Sequence, residues 1–223
     1  FNIIFFDTDI DLEFLLDNAK IDLIYQLSAP HDFKNNYKAT QSAFHCVFPT
    51  SLEKKYSSRF ATISDWMSDR FFLSMVPAIP HIVSPLKPTM SREDFCFQHN
   101  VCSDHLICGG YGGSDSFDLK FVKKEVIPQI LESRPDITFV FMNFDKFIEH
   151  ERVVFLPGSA NHKYKSNFVN CLDVFLHARV LGETFGLACA EASTLNKPVL
   201  SFASSPHKAH LYHKSFNITP YYN

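Results

Sequence analysis

Short apolar runs alternate with amphipathic segments through the second half of the chain. A 3.6-residue apolar periodicity indicates helices, and four- to six-residue apolar runs indicate buried strands. The predicted strands are Leu106–Cys108, Thr138–Met142, Val153–Leu156, Val174–His177 and Pro198–Phe202. The predicted helices are Phe117–Ser133, Lys163–Cys171 and one that begins after Gly186. This alternation predicts half of a doubly wound, Rossmann-like α/β layer with a mainly parallel sheet, whose ligand crevice lies beyond the carboxyl ends of the strands.

The first half has the same alternation with shorter elements. Predicted strands are Asn2–Phe6, Ile21–Leu27, Phe44–Phe48 and Arg59–Ile63, and predicted helices are Asp11–Ala19 and Asp65–Leu73, the second capped by Ser64. Four prolines and no glycine between Val76 and Thr89 indicate an extended crossing segment. We therefore divide the chain into residues 1–86 and residues 87–223. Because the first part is short for a complete domain, we expect it to be incomplete at its N-terminal end.

Composition excludes several classes of function. The chain has 223 residues, is 46% hydrophobic and has a formal net charge of −3, which provides no general attraction to nucleic acid or anionic membranes. No apolar run approaches the roughly 20 residues that span a bilayer. Six cysteines without a C-x-x-C pair indicate buried free thiols in a reducing compartment and predict no metal site. We expect a cytoplasmic location, with the inner face of a membrane as a second location.

Two glycine-containing segments predict a phosphate site in the second half. All seven glycines lie between Gly109 and Gly186, so any nucleotide is expected there. The turn from Gly182 to Gly186 leads into a helix, whose N-terminus attracts anions through free N–H groups and its dipole. The loop predicted at Gly109–Gly113 also follows a strand and precedes a helix. A phosphate flanked by hydroxyl-rich groups that Glu183 and Glu191 could bind indicates a nucleotide sugar.

Glu183 and Glu191 are the main candidates for ligand contacts. They are eight positions apart, roughly 12 Å along a helix, and could contact opposite ends of an extended ligand. Glu191 lies among small residues, where a buried carboxylate needs a partner. Arg179 suits phosphate recognition, although an ion pair with a nearby glutamate is an equally good interpretation. Lys120, near the glycine loop, is the other candidate cation.

The stretch from His177 to Val199 carries a family resemblance. Its pattern, H-A-R-x-x-G-E-T-F-G-L-A-x-A-E-x-S-x-x-N-K-P-V, resembles the E-x7-E motif region of GT4-like retaining glycosyltransferases, which have the two-domain GT-B fold. The segments HCVF at His45, AxISDWMS around Ser64, IPHIVSP from Ile79 and GGSDSFD from Gly112 resemble a set of poorly characterised glycosyltransferases. One departure stands out, since Gly110 occupies the place where that family commonly has an arginine that holds the donor phosphates.

The resemblance implies a GT4-like hexosyltransferase of two Rossmann-like domains. Residues 1–86 would be the acceptor side, and residues 87–223 would bind a nucleotide diphosphate sugar. The resemblance implies that Glu183 contacts the donor sugar and Glu191 the ribose, and that His45 is the second catalytic residue. Together with the residue analysis, it gives a donor-binding set of Gly112, Gly113, Lys120, Arg179, Thr184, Phe185, Gly186 and Glu191. His210 is a candidate for closing the donor pocket.

Several expectations follow for the reaction and its alternatives. GT-B sites stabilise the leaving diphosphate with helix termini and basic side chains, so we expect no metal and no cofactor besides the sugar nucleotide as co-substrate. The acceptor is a glycan, a lipid or a protein, and peripheral membrane association would involve the missing N-terminal region. A non-catalytic or degenerate sugar-nucleotide-binding domain is the alternative, and a sugar-nucleotide epimerase is a weaker third interpretation.

Overall fold

The computed structural model describes residues 9–30, 41–50, 59–213 and 215–223, with the side chains of 9–11 excepted. Within it the chain forms two compact units, Phe1–His81 and Ile82–Asn223. The predicted strand Asn2–Phe6 lies outside the described residues. The sequence placed the division five positions later, at 86/87. Leu86, however, is buried in the core of the second unit, and its N–H donates to Thr194 Oγ1 at 3.1 Å.

The first unit contains a three-stranded parallel sheet in the order β1-β2-β3. Its elements are α1 (Asp9–Asn18), β1 (Ile24–Ser28), β2 (Ser42–Cys46), β3 (Arg59–Thr62) and α2 (Asp65–Phe72). Helix α2 begins as the sequence predicts, because the Ser64 side chain accepts a hydrogen bond from the N–H of Met67. The helix ends at Leu73, which adopts the left-handed conformation.

The second unit is built around a six-stranded sheet in the order β11-β9-β7-β4-β5-β6, with every pair parallel. Its strands are β4 (Leu106–Tyr111), β5 (Ile137–Met142), β6 (Val153–Leu156), β7 (Val174–His177), β9 (Val199–Phe202) and β11 (Ile218–Tyr221). Two short strands, β8 (Gly182–Glu183) and β10 (His207–Lys208), pair separately. Its helices are α3 (Arg92–Gln98), α4 (Ile127–Ser133), α5 (His162–Cys171), α6 (Leu187–Thr194) and α7 (Ala209–Tyr212).

Two apolar clusters cover the two faces of this six-stranded sheet. One cluster contains Phe95, Phe168 and Phe175, and the other contains Phe117, Phe139 and Phe141. Many of the 24 phenylalanines are therefore core residues, as an aromatic-rich interior requires. The strand order reverses at β4, which pairs with β5 on one side and β7 on the other. This reversal places a crevice at the carboxyl ends of β4 and β7.

The predicted glycine loop at Gly109–Gly113 is wrong in its first half. Strand β4 continues through Gly109 and Gly110 to Tyr111, so only Gly112 and Gly113 belong to the loop. A Cβ atom on Gly109 would lie 1.8 Å from the carbonyl oxygen of Val140, and one on Gly110 would lie 2.4 Å from that of Leu176. These two glycines therefore allow close packing inside the sheet.

The helix predicted to begin at Phe117 also differs. Its first residue in helical conformation is Lys120, and a π-helical turn, Val122–Val126, precedes α4. Residues 112–119 form an irregular loop in which the N–H groups of Asp118 and Leu119 donate to the carbonyl oxygen of Ala178. The side chain of Asp118 accepts from the N–H of Val180, which joins this loop to the segment after β7.

Candidate functional site

A cleft of about 690 Å³ opens at the carboxyl edge of the six-stranded sheet. Tyr111 ends β4, Met142 ends β5, and Glu183 follows β7, so all three reach this edge. The full lining is Tyr111, Gly112, Met142, Asn143, Gly158, Ser159, Ala160, Lys165, Glu183, Leu187, Ala188 and Glu191. The two glutamates singled out by sequence therefore line one cleft, one before α6 and one within it.

Glu191 is held by two side chains from other elements. Lys165 Nζ, from α5, donates to Glu191 Oε1 at 2.5 Å, and the hydroxyl of Tyr111 donates to Glu191 Oε2. The ammonium also lies 5.6 Å from the centre of the Tyr111 ring, a cation–π contact. Burial first, and then the charge of Glu191, raise the pKa of Tyr111 far above its usual value, so the hydroxyl remains a donor.

Glu183 is held by two polar side chains, one from the last residue of β7 and one from just after that strand. Arg179 Nη1 donates to Glu183 Oε1 at 2.9 Å, and His177 Nε2 donates to the same oxygen at 3.2 Å. Burial acts to raise the pKa of Glu183, but the hydrogen bonds from His177 and Arg179 and the charge of Arg179 outweigh it, and the net pKa is lowered. Glu183 is therefore an ionised carboxylate at the cleft wall.

The turn that follows Glu183 forms the start of α6 as the sequence predicts. Gly186 has φ of 93° and forms the N-cap of α6, a conformation that favours glycine. Leu187 and Ala188, in the first turn of the helix, line the cleft. The side chain of Phe185 is buried and packs against His213 and Phe216. Thr184, Phe185 and Gly186 are not among the lining residues, whereas their neighbours Glu183 and Leu187 are.

Of the remaining predicted donor residues, only some line the cleft. Gly112 lines the cleft, and its carbonyl oxygen accepts from Asn143 Nδ2 at 2.6 Å. Gly113 and Lys120 are exposed and are not among the lining residues. Arg179 forms the ion pair with Glu183 that the sequence left as an open alternative, and it contributes no lining surface.

His45 belongs to the first unit and lies near the carboxyl end of β2. It is 4% exposed, and its Nδ1 is 2.5 Å from the hydroxyl of Tyr25. Burial lowers the pKa of His45, with smaller opposing contributions from the backbone of Ile79 and Thr62. Its ring centre lies 6.4 Å from that of His81. The imidazole is therefore a neutral group whose orientation is set by neighbours within its own unit.

Lys165 and Tyr111 are cleft residues that sequence reasoning missed. Lys165 lies in the first turn of α5, and the helix that follows a parallel strand starts at the carboxyl edge of the sheet. That topology alone would have placed a lysine at this position near the crevice. Tyr111 was assigned to a glycine loop, and the error concealed a side chain that ends β4.

Three further observations concern metal ligands, cysteines and membrane-crossing helices. Among the described residues no group of three or more His, Cys, Asp or Glu side chains is arranged to hold a metal ion. The six cysteines are free, with Cys102 exposed and the others buried. Within the described parts of the chain, no helix is both long enough and apolar enough to cross a membrane.

Comparison with known proteins identifies structures with the same fold, but no matching family model and no matching curated sequence. A glycosyltransferase from Rickettsia africae superposes with a TM-score of 0.65 at 12% identity, over 96% of this chain and 65% of that one. HepE from Anabaena, in complex with UDP and glucose, superposes with a TM-score of 0.67 at 15% identity, over 93% and 66% of the two chains.

A third match is WaaG, a glycosyltransferase involved in lipopolysaccharide biosynthesis. It superposes with a TM-score of 0.61 at 15% identity, over 95% of this chain and 67% of that one. The chain thus spans about two thirds of the length of these proteins. Together the structures establish the fold class: an α/β protein of the GT-B type with Rossmann-like units and parallel sheets. The structural neighbours are GT-B glycosyltransferases.

Proposed function

We propose that the protein is a glycosyltransferase that binds a nucleoside diphosphate sugar in the cleft of its second unit and transfers the sugar to an acceptor. The observation that carries the proposal is the pairing of Glu183 and Glu191 in one cleft, each bonded to a basic side chain. Oriented carboxylates accept hydrogen bonds from sugar hydroxyls, and the start of α6 between them suits a diphosphate. HepE, which shares the fold, binds UDP and UDP-glucose.

Within this proposal each cleft residue has a defined task. Glu183 contacts the donor sugar, and Glu191 contacts the ribose. The backbone from Thr184 to Gly186, together with Gly112 and Gly113, approaches the diphosphate. The resembled family commonly has a phosphate-binding arginine where this chain has Gly110. Lys165, which lines the cleft, provides the positive charge in its place. Arg179 contributes through Glu183, and Lys120 is the weakest member of the set because it lies outside the lining.

The chemical step needs groups that accept charge as the sugar leaves. Positive charge from Lys165 and the dipole of α6 stabilise the departing diphosphate, and the reaction then proceeds without a metal. His45, neutral and fixed by Tyr25, is the second catalytic residue of the proposal. The proposal also includes transfer of a hexosyl group, with retention of configuration, by a member of the GT4-like group. A His45→Gln variant is expected to transfer sugar more slowly while its affinity for UDP stays unchanged.

Calorimetric titration with UDP, UDP-glucose and the corresponding guanosine and adenosine compounds tests the proposal. We expect one nucleotide class to bind, and Glu191→Gln to weaken that binding about tenfold or more. Glu132→Gln, an exposed glutamate on α4, is the matched control and should bind normally. Titration in the presence of EDTA tests metal independence. No binding by well-folded protein would refute the proposal.

A second measurement separates transfer from binding alone. Slow donor hydrolysis, followed by proton NMR of the released sugar, reports both turnover and the configuration of the anomeric carbon. Release of the donor's own anomer supports retention, and the opposite anomer contradicts it. Binding without turnover with any acceptor class would instead favour the non-catalytic sugar-nucleotide-binding domain.

A further inference from the structure

A chain of buried polar side chains runs from Glu183 away from the cleft. His177 donates to Glu183 from Nε2, and its Nδ1 lies 2.8 Å from Ser201 Oγ. The same serine oxygen lies 2.8 Å from His210 Nε2. Ser201 and His210 are fully buried, and His177 is 8% exposed. The two imidazole rings lie 4.8 Å apart, so a hydroxyl group links two histidines deep in the second unit.

The hydrogen bonds of this chain restrict where its protons can be. A carboxylate only accepts, so His177 must carry a proton on Nε2. If His177 is neutral, its Nδ1 is an acceptor and the Ser201 hydroxyl must donate to it. The serine oxygen then accepts from a proton on His210 Nε2. Both histidines are therefore Nε2–H tautomers, and His210 Nδ1, which has no hydrogen-bond partner among the described residues, is a bare lone pair.

The opposite arrangement requires an additional proton. If His210 were protonated on Nδ1, facing the backbone of Glu183, its Nε2 would accept from Ser201. Ser201 would then accept from His177 Nδ1, and His177 would carry protons on both nitrogens. Such an imidazolium would lie with its ring centre 4.8 Å from that of His210, which is fully buried. It would also lie near the guanidinium of Arg179. The neutral chain avoids this crowding of positive charge.

We propose that Ser201 and His210 fix the tautomer of His177, which makes His177 a positioning residue that orients the Glu183 carboxylate for a hydroxyl of the donor sugar. The inference rests on the proposed function, since it assigns Glu183 to the sugar. Arg179 supplies charge to the same carboxylate oxygen, and His177 adds a second donor direction. Because Oε1 accepts both of these hydrogen bonds, the proposal assigns Oε2 to the sugar hydroxyl.

The tautomers can be measured without any ligand. Long-range proton–nitrogen NMR of histidine-labelled protein distinguishes the two neutral tautomers and the imidazolium by their ring nitrogen shifts. We expect neutral Nε2–H forms for His177 and His210 near pH 7. Ser201→Ala should abolish the single-tautomer signature of His177. A doubly protonated His177, or an Nδ1–H tautomer at His210, would overturn the proposal even if the protein binds a sugar nucleotide.

A double-mutant cycle tests whether His177 acts through Glu183. We expect His177→Leu to weaken binding of the sugar nucleotide about tenfold to a hundredfold, and His177→Gln, whose amide can still donate, to recover much of the loss. In a Glu183→Gln background His177→Leu should have little further effect. His105→Leu is the matched control, since this histidine also bonds a hydroxyl, that of Thr138, but at the amino edge of the sheet.

The outcomes separate the two proposals. If the wild-type protein binds no sugar nucleotide, the proposed function fails, and the tautomer measurement still decides whether the histidine chain is ordered as described. In another outcome the wild type binds, and His177→Leu weakens binding by the same factor in the wild-type background and in the Glu183→Gln background. In that case His177 has only a structural role. Equal loss in His177→Leu and His177→Gln would also contradict positioning through a hydrogen bond.

Discussion

The Lys165–Glu191 pair predicts a measurable coupling that does not depend on any ligand. Lys165→Met removes the ammonium and leaves a carboxylate whose side chain is 14% exposed, while the lysine side chain was 22% exposed. Breaking a fully buried pair costs about 3–5 kcal/mol, and an exposed pair contributes about 0–1 kcal/mol. For this intermediate burial we expect a loss of about 2 kcal/mol in the free energy of unfolding.

The same loss can be expressed as a shift in melting temperature. For a protein of about 200 residues, 1 kcal/mol corresponds to about 2–4 °C, so Lys165→Met should melt about 4–8 °C lower. Tyr111 continues to donate to Glu191 in the variant, which limits the cost. Glu191→Gln removes the charge that lacks a partner. The double variant Lys165→Met/Glu191→Gln should therefore be more stable than the sum of the single losses predicts, by about 1–2 kcal/mol.

Urea unfolding followed by far-ultraviolet circular dichroism measures all four proteins of this cycle. The single tryptophan, Trp66, lies in α2 of the first unit, so its fluorescence gives a separate probe of that unit. A transition that moves in circular dichroism but not in Trp66 fluorescence would locate the loss in the second unit. Strict additivity of the two substitutions would refute the reasoning, because it would mean that the ammonium and the carboxylate do not interact.

Three further predictions concern the framework of the second unit. Gly186→Ala should cost about 2–4 kcal/mol in urea unfolding, because its φ is 93° and its Cβ would lie 2.8 Å from that of His210, whereas Gly113→Ala should be nearly neutral. Arg92→Lys should cost about 1–2 kcal/mol in the same assay, since the guanidinium bonds both oxygens of Asp173, at 2.6 and 2.9 Å; no loss would contradict a bidentate role. The pKa of His210 is lowered to about 3 in the folded protein, whereas a histidine in the unfolded chain takes up a proton below about pH 6.5. Between about pH 6.5 and pH 3 the unfolded state therefore binds more protons, and the wild-type free energy of unfolding should fall by up to about 1.4 kcal/mol for each unit that the pH is lowered. His210→Gln should show a shallower fall in unfolding measured from pH 7 to 4, and parallel curves would contradict this assignment.

Strand positions in the second unit could largely be read from the sequence. Val153–Leu156 and Val174–His177 have the predicted bounds, because short apolar runs between polar loops leave little freedom of assignment. The error at β4 has a physical cause. Glycine normally indicates a loop, but Gly109 and Gly110 are required where the backbones of neighbouring strands approach, and this proximity is not visible in one segment of sequence.

The two acidic site candidates were also predictable, but the groups that hold them were not. Glu183 and Glu191 stand in a distinctive local pattern of glycine, phenylalanine and small residues. Lys165 lies 26 positions from Glu191, and Tyr111 lies 80 positions away, so only the folded sheet brings them together. The same holds for Ser201, which reads as an ordinary strand residue until His177 and His210 are seen on either side of it. Pairings across a parallel sheet have no signature within a single element.

The parallel arrangement of the second sheet also governs the order in which it can assemble. Strand β4 is the first of its six strands in the chain, yet one of its two neighbours, β7, arrives much later, and the contact between Ile107 and Asp173 closes 66 residues. Contacts of such long range make folding slow. During synthesis the edge of β4 that pairs with β7 stays unpaired until β7 has left the ribosome. Cooler expression, or a chaperone that shields this edge, should therefore increase the yield of native protein without any change in its final stability.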